Sequence, residues 1–243
     1  MKQFAVIGNP IGHSLSPYLH NFVYNSLGID AVYERKRVLK SELPQIINLI
    51  KNGDLSGINV TIPHKENIME YLDNINPRAQ SIGAVNIIIN NGNKLIGHNT
   101  DIFGFEESIA PLLNGRNNAI ILGNGGASKA IAFVFYTRGI NFSIFSRNLM
   151  LKFADITEEV IQKNDIIINT PPLGMYPNAD SFADLQYNAI NTKHLLYDLV
   201  YNPEESQFLK KGMAKGAQIK NGKQMLYLQA EKSWKIWNLN INL

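Results

Sequence analysis

The chain has no cysteine. Disulfides, thiolate metal sites and a cysteine nucleophile are therefore excluded. Charge is also scarce, at 18% of 243 residues, where ordinary soluble domains carry about a quarter. No low-complexity tract is present, and no apolar run approaches the roughly 20 residues of a membrane span. The opening stretch MKQFAVIGNP runs directly into a strand and a turn. It has none of the layout of a signal peptide, so the cytoplasm is the expected compartment. A strong charge bias is missing too. The formal net charge is +3, and Lys and Arg are scattered. The densest basic cluster, YERKRV at 33–38, alternates like a solvated strand face. A nucleic-acid partner is not expected, and a small anionic ligand accounts for a mild basic bias.

What is present is apolar and regularly punctuated. Hydrophobic residues make up 45%, enough for one large or two small domains. KQFAVIGN reads as a strand ending in a Gly-Asn-Pro turn. SPYLHNFVYNSLGI reads as a helix, with Ser16 as N-cap, Pro17 in its first turn and Gly28 as its stop. Tyr18, Leu19, Phe22, Val23 and Leu27 fall at helical spacing in it. A strand (AVYERKRV), a helix closing on Gly53 (SELPQIINLIKNG) and a strand (SGINVTI) follow. Such alternation implies a mainly parallel sheet with right-handed crossovers. AVNIIINNGNKLIGH, 84–98, reads as a hairpin around Asn-Asn-Gly.

A second alternating unit begins near Asn118. NAIILGNGG, NFSIFSR, NDIIINT and LLYDLV are its strands. ASKAIAFVFYTRG is a helix with Gly139 as stop, and PEESQFLKKGMAKG is a helix with Pro203 at its start. The final helix is KQMLYLQAEKSWKIWNL. Trp234, Trp237, Tyr227 and Leu226 lie at helical spacing there and read as core. The expected fold class is α/β with two domains. Residues 1–102 plus about 221–243 form one, and 103–220 form a Rossmann-like dinucleotide-binding domain, with a cleft between them.

The glycine loop IILGNGGASKAI has the strand-turn-helix context of a dinucleotide fingerprint. Gly123 permits the tight turn and Gly125 lets backbone approach a pyrophosphate. N–H groups near Ala127 and Ser128 would bind that anion at the helix start. The third glycine of G-x-G-x-x-G is absent, and Ser128 stands in its place. No P-loop can be laid on the stretch. An NAD site would show an acidic residue about 20 residues on, for the ribose 2′-hydroxyl. FSRN, 145–148, has none. Arg147 offers a guanidinium fork for a 2′-phosphate, with Lys152 nearby and Ser146 and Asn148 as further donors. NADP(H) is the expected cofactor.

Four stretches of the first domain are polar beyond what a fold requires: GHSLSP (12–17), TIPHK (61–65), GAVN (83–86) and NTD (99–101). Each follows or ends a strand or hairpin arm, where open α/β sheets place ligands. Each also has a structural alternative. Ser16 can be spent on the helix start, Thr61 suits any strand, Asn86 and Asn99 suit turns, and Asp101 can cap a helix beginning near Phe103. Their convergence on Lys65 favours a site for a small, polyhydroxylated, anionic molecule. His64, His13 and His98 read as structural. No spacing of His, Asp and Glu suggests a metal.

GNPIGHSLSPYLHN, NVTIPHK, GAVN, NTD, GNGGASKAI, NTPPLGM, DLVYNP and NGKQMLYLQA resemble, in order and over essentially the whole chain, the motifs of the shikimate dehydrogenase family. The resemblance implies a substrate domain and an NADP-binding Rossmann-like domain. It implies reversible NADPH-dependent reduction of 3-dehydroshikimate to shikimate, in aromatic amino-acid biosynthesis. By position, Lys65 and Asp101 are similar to the catalytic pair. Ser14, Ser16, Thr61, Asn86, Tyr201 and Gln229 are similar to the substrate contacts. Gly123, Asn124, Gly125, Gly126, Ala127, Ser146, Arg147, Asn148 and Lys152 are similar to the cofactor contacts, with Gly222 and Met225 near the nicotinamide. Two departures stand out. Ser146-Arg147-Asn148 replaces the usual Asn-Arg-Thr, and GNGG replaces the commoner GAGG. The stretch after Arg147 is also short for a full helix, strand and helix, so a trimmed cofactor domain is expected. The paired serines fit the shikimate-specific type better than quinate-using relatives. The alternatives are a quinate/shikimate enzyme preferring NAD, or a catalytically weak NADP-binding paralogue. A monomer or homodimer with a small-molecule substrate is expected. In such a reaction Lys65 would deliver a proton to the developing alkoxide and Asp101 would orient it; which of the two carries the proton stays open.

Overall fold

Strand β1 (Lys2–Gly8) is an apolar run whose last five residues are buried, which is why it sits near the middle of a sheet. In this computed structural model, residues 1–92 and 94–237 are described. Asn93, in the turn of the expected hairpin, and Asn238 and Leu239, at the expected end of the last helix, lie outside them. Along the first part come α1 (Ser16–Ser26), β2 (Ala31–Arg37), α2 (Leu43–Lys51), β3 (Gly57–Val60), β4 (Asn74–Ile75), α3 (Pro77–Ile82), β5 (Ile87–Asn91), β6 (Lys94–His98) and α4 (Asp101–Ile109). The second part holds β7 (Asn118–Leu122), α5 (Gly126–Thr137), β8 (Asn141–Phe145), α6 (Glu158–Gln162), β9 (Ile166–Asn169), β10 (Leu195–Asp198), α7 (Gln207–Met213), β11 (Gln218–Lys220) and α8 (Lys223–Ile236).

The strands form two sheets. The first has the order β2-β1-β3-β5-β6-β4. It is parallel except for β5, which runs antiparallel to both β3 and β6. The second has the order β11-β10-β9-β7-β8 and is parallel throughout. The chain divides into two compact units, Met1–Asp101 with Gln229–Leu243, and Ile102–Leu228. The division falls inside α8.

Each face of the first sheet carries its own core. One is built on Ile7, Ile47, Ile50, Ile58 and Ile88. The other gathers Phe4, Tyr24, Tyr33, Trp234 and Trp237. In the second unit, Ile120, Ile167, Leu196 and Phe208 anchor the cluster on one face of the sheet. Among the described residues no helix is long and apolar enough to cross a membrane.

Several local expectations change. The residue preceding α1 is Leu15, with no side-chain cap, and Ser16 is already helical. The apolar residues Tyr18, Phe22 and Leu27 are exposed, while Ser16, His20, Val23 and Tyr24 are buried. Helical spacing alone does not say which face a helix buries, and this one buries a mixed face of Ser16, His20, Val23 and Tyr24. Helix α7 starts at Gln207, capped by Ser206, whose Oγ accepts from Leu209 N at 3.4 Å; Pro203 precedes that start. Tyr227 is exposed, unlike Trp234 and Trp237. The short strand β4 and helix α3 carry no pattern long enough to read beforehand. Between β8 and β9 the chain makes only a 3₁₀ turn (Phe153–Asp155) and the five-residue α6. No strand lies beyond β8 among the described residues, so the dinucleotide-type sheet is trimmed at that edge.

Candidate active site

β3 delivers Thr61 and, through the turn closed by His64 N to Thr61 O at 2.9 Å, Lys65. The Lys65 carbonyl accepts from Val85 N at 2.8 Å, which ties this turn to the GAVN segment. The Lys65 ammonium forms an ion pair with Asp101 Oδ2, and both side chains are nearly buried. Asp101 is the first residue of α4, but its carboxylate is not spent on capping. Asn99 does that work, its Oδ1 accepting from Asp101 N at 3.0 Å. The second carboxylate oxygen, Oδ1, accepts from Asn86 Nδ2 at 2.9 Å. Asn86 Oδ1 in turn accepts from Thr100 N at 2.7 Å. Both carboxylate oxygens and both ends of the Asn86 amide are thus held, which fixes the plane of Asp101 and the place of the ammonium.

A further layer comes from three elements. Thr100 Oγ1 donates to Gln229 Oε1 at 3.3 Å and lies 3.4 Å from Ser233 Oγ. Asn59, buried within β3, donates to the Asn86 carbonyl at 3.2 Å and to Ser233 Oγ at 3.3 Å, and accepts from Tyr33 OH at 2.7 Å. Thr100, Asn59, Ser233 and Tyr33 were not picked out from the sequence. Ser233 had a signal: it stands four residues after Gln229, on the same helical face. Asn59 also had one, as a polar residue inside the apolar run GINV. Beneath them, His20 stacks on Tyr33 at 4.0 Å and accepts from Trp234 Nε1 at 2.6 Å. Complete burial lowers its pKa to about 3, so the ring stays neutral.

Ser14 and Ser16 are buried side by side, with Ser16 N donating to Ser14 Oγ at 3.3 Å. Thr61 lies against Gly8, where a Cβ would sit 2.6 Å from the threonine methyl. Only glycine lets the loop carrying the serines start this close to β3. His64 is a structural residue, its Nε2 2.7 Å from the Val38 carbonyl. His13 is shifted below the ordinary histidine range by burial and by Arg35, and His98 by burial and by Lys232.

In the second unit the glycine loop is fixed from three sides. Gly123 has φ +94, and a Cβ there would meet Thr170 Oγ1 at 2.5 Å. Its N–H donates to the Phe145 carbonyl at 2.8 Å, and its carbonyl accepts from Ser128 Oγ at 2.7 Å. Ser128, in the place of the third glycine, therefore braces the turn. The first backbone bond of α5 runs from Lys129 N to Gly125 O. The N–H groups of Gly126, Ala127 and Ser128 precede it, as an anion at the helix start requires. Nothing approaches a Cβ built on Gly125. This open, donor-lined turn fits the diphosphate of a dinucleotide. Arg147 and Asn148 follow β8 and are exposed. Lys152 is exposed as well, and its N–H donates to Asp155 Oδ2 at 2.7 Å.

β10 ends at Asp198, whose register partner on β9 is Asn169. Two polar residues closing neighbouring apolar strands were a legible but unused signal. Asp198 is fully buried and accepts from Asn169 Nδ2 at 2.8 Å, Val200 N at 2.9 Å and Ser206 Oγ. This array shapes the turn leading to Tyr201. Gly222 N donates to the Val200 carbonyl at 3.2 Å, which sets the start of α8 beside that turn. Met225 is buried one turn along α8.

Burial raises the Asp198 pKa from 3.8 to about 6, against the lowering effect of its three donors. The folded carboxyl keeps its proton up to about pH 6, and the unfolded one only to 3.8. Raising the pH through that window costs stability, by about 3 kcal/mol for a shift of about two units. Asp198→Asn removes the titration. Its unfolding free energy, relative to the wild type, should rise by about 3 kcal/mol from about pH 4 to about pH 7 in urea titrations. A difference independent of pH would contradict this.

Residues 6–88 match the family model of the shikimate dehydrogenase substrate binding domain. The NADP(+)-dependent shikimate dehydrogenase of Clostridium beijerinckii is 40% identical over 253 residues, spanning 98% of this chain and 92% of that one. A solved shikimate dehydrogenase in complex with NADP+ superposes with a TM-score of 0.86 at 35% identity, covering 98% of this chain and 90% of the other. The Thermus thermophilus shikimate 5-dehydrogenase, solved with NADP(H) and shikimate, gives 0.88 at 31% identity, covering 98% and 93%.

Proposed function

The chain belongs to the shikimate dehydrogenase family, and from that premise we propose that it catalyses the reversible NADPH-dependent reduction of 3-dehydroshikimate to shikimate. The observation that carries this reading is the nearly buried Lys65–Asp101 ion pair, held by Asn86 and Thr100. A binding protein has no need of an ammonium and a carboxylate desolvated together, since burying such a pair costs stability.

We assign substrate binding to Ser14, Ser16, Thr61, Lys65, Asn86, Asp101, Tyr201 and Gln229. The cofactor role falls to Gly123, Asn124, Gly125, Gly126, Ala127, Ser146, Arg147, Asn148, Lys152, Gly222 and Met225. NADPH, when bound, supplies the hydride. The loop N–H groups of Gly126 and Ala127 hold the diphosphate, and the Arg147 guanidinium holds the 2′-phosphate. The Lys65 ammonium donates a proton to the substrate oxygen as negative charge develops there, and in the oxidative direction the same nitrogen takes the proton back. Asp101 aims Lys65 and accepts from a substrate hydroxyl. Ser14 and Ser16, a pair of buried hydroxyls, suit a carboxylate. We infer a cytoplasmic biosynthetic enzyme acting as a monomer or homodimer.

One assay tests the reading. Formation of the reduced nicotinamide is followed with shikimate and NADP+, then with quinate, then with NAD+ in place of NADP+. Turnover should be highest for shikimate with NADP+. Equal turnover with quinate and NAD+ would replace the reading with a broad quinate/shikimate enzyme. Absence of turnover with every pair would leave a binding protein.

A further inference from the structure

The two departures from the family pattern, Asn124 in the glycine loop and Ser146 at the end of β8, touch each other: Ser146 Oγ donates to Asn124 Oδ1 at 3.1 Å. We infer that they form one recognition unit, in which Ser146 aims the Asn124 amide nitrogen at the 2′-phosphate of the cofactor. The inference rests on the NADP reading above and names residues of this chain that set its preference.

A serine hydroxyl has one proton. Here it is spent on Asn124, so buried Ser146 has no donor left for a phosphate. Asn124 is exposed, and with Oδ1 pinned its Nδ2 carries two N–H donors directed away from Ser146. Among the described residues no partner takes them. Both ends of the latch are firmly seated. Gly123 is bonded to Phe145 and to Ser128. Ser146 N donates to the Leu151 carbonyl at 2.9 Å, and its carbonyl accepts from Leu149 N at 3.2 Å. Arg147 is the next residue along the chain. The amide donor thus stands beside the guanidinium expected to meet the 2′-phosphate, on a sheet edge beyond which no strand lies among the described residues. Ser146 is a positioning residue and Asn124 is the contact.

A mere loop tether would behave differently, because it would affect all nucleotides alike. The test uses calorimetric binding of adenosine 2′,5′-bisphosphate and of 5′-AMP to the full chain, with melting curves to verify folding. Asn124→Ala should weaken the bisphosphate by about tenfold, the scale of one hydrogen bond to a charged group, and leave 5′-AMP nearly unchanged. Ser146→Ala should weaken the bisphosphate too, but add nothing in the Asn124→Ala background. Asn124→Asp should lose more than Asn124→Ala, because it turns a carboxylate oxygen toward the phosphate. Equal weakening of both nucleotides, independent effects of the two substitutions, or full affinity in Asn124→Asp would each overturn the latch. A wild-type protein that binds the bisphosphate no better than 5′-AMP would overturn the NADP reading itself.

Discussion

Lys65→Ala should lower kcat for shikimate oxidation by about 10²-fold or more, the range for loss of an acid-base group. The substitution removes the nitrogen proposed to exchange the proton and leaves its surroundings in place. Asn86 still holds Asp101 Oδ1, Thr100 still holds Asn86, and Asn99 still caps α4. KM should therefore change much less than kcat, because the interaction lost is one made in the transition state. Lys65→Met is the companion variant. It keeps the aliphatic stem in a nearly buried position, and should be as slow as Lys65→Ala. Steady-state kinetics with both variants check the assignment, and near-normal turnover in either would remove Lys65 from the chemistry.

Gly222→Ala should be nearly as damaging for a different reason. A Cβ at this position would collide with the Leu199 carbonyl oxygen and lie 2.8 Å from the Leu199 carbonyl carbon. Both are backbone atoms, so no side chain can swing aside. The segment running to Tyr201 or the start of α8 has to move, breaking the 3.2 Å bond from Gly222 N to the Val200 carbonyl. Overpacking of this sort costs about 3 kcal/mol at the upper end of its usual range. In a chain of this size that lowers the melting temperature by on the order of 10 °C. Displacing Tyr201 and Met225 by about 1 Å should also cut kcat/KM by about 10²-fold. Melting curves and kinetics read the two effects separately. A variant matching the wild type in both would show that this approach of backbone to backbone is not a constraint.

The parts of the fold that could be read beforehand are those with a long enough pattern. Strands such as β1, β7 and β9 are apolar runs closed by glycine or proline, and the final helix is a long stretch free of both. β4 has two residues and α3 has six, too few for any period to emerge. α1 shows the limit of periodicity. Its apolar residues Tyr18 and Phe22 face outward, and His20 and Tyr24 face the core, because the buried side supports a polar network. The site was legible where polar residues end strands, as with Lys65, Asn86 and Asp101. Where polar residues sit inside elements, as with Asn59 in β3 and Ser233 in α8, position gave a signal but not the partner. Asn59 pairs with Tyr33, Asn86 and Ser233, which lie 26, 27 and 174 positions away in the chain, and nothing local names those partners. The short stretch after Arg147 was readable as a trimmed domain from length alone, but the contact between Asn124 and Ser146 needed coordinates.

The last helix also governs the order in which this protein can be completed as it is made. Ile102–Leu228 is one uninterrupted stretch of chain, whereas the unit with Lys65 and Asp101 needs residues from both ends. Its aromatic core lacks Trp234 and Trp237 until synthesis has passed residue 237. Ser233 and Gln229, which brace Thr100, arrive equally late. At about 5–20 residues per second, the nascent chain spends several seconds with Lys65 and Asp101 made but unsupported. Those two indoles are the only tryptophans in the chain, so their emission marks the moment when α8 completes the cluster of Phe4, Tyr24 and Tyr33.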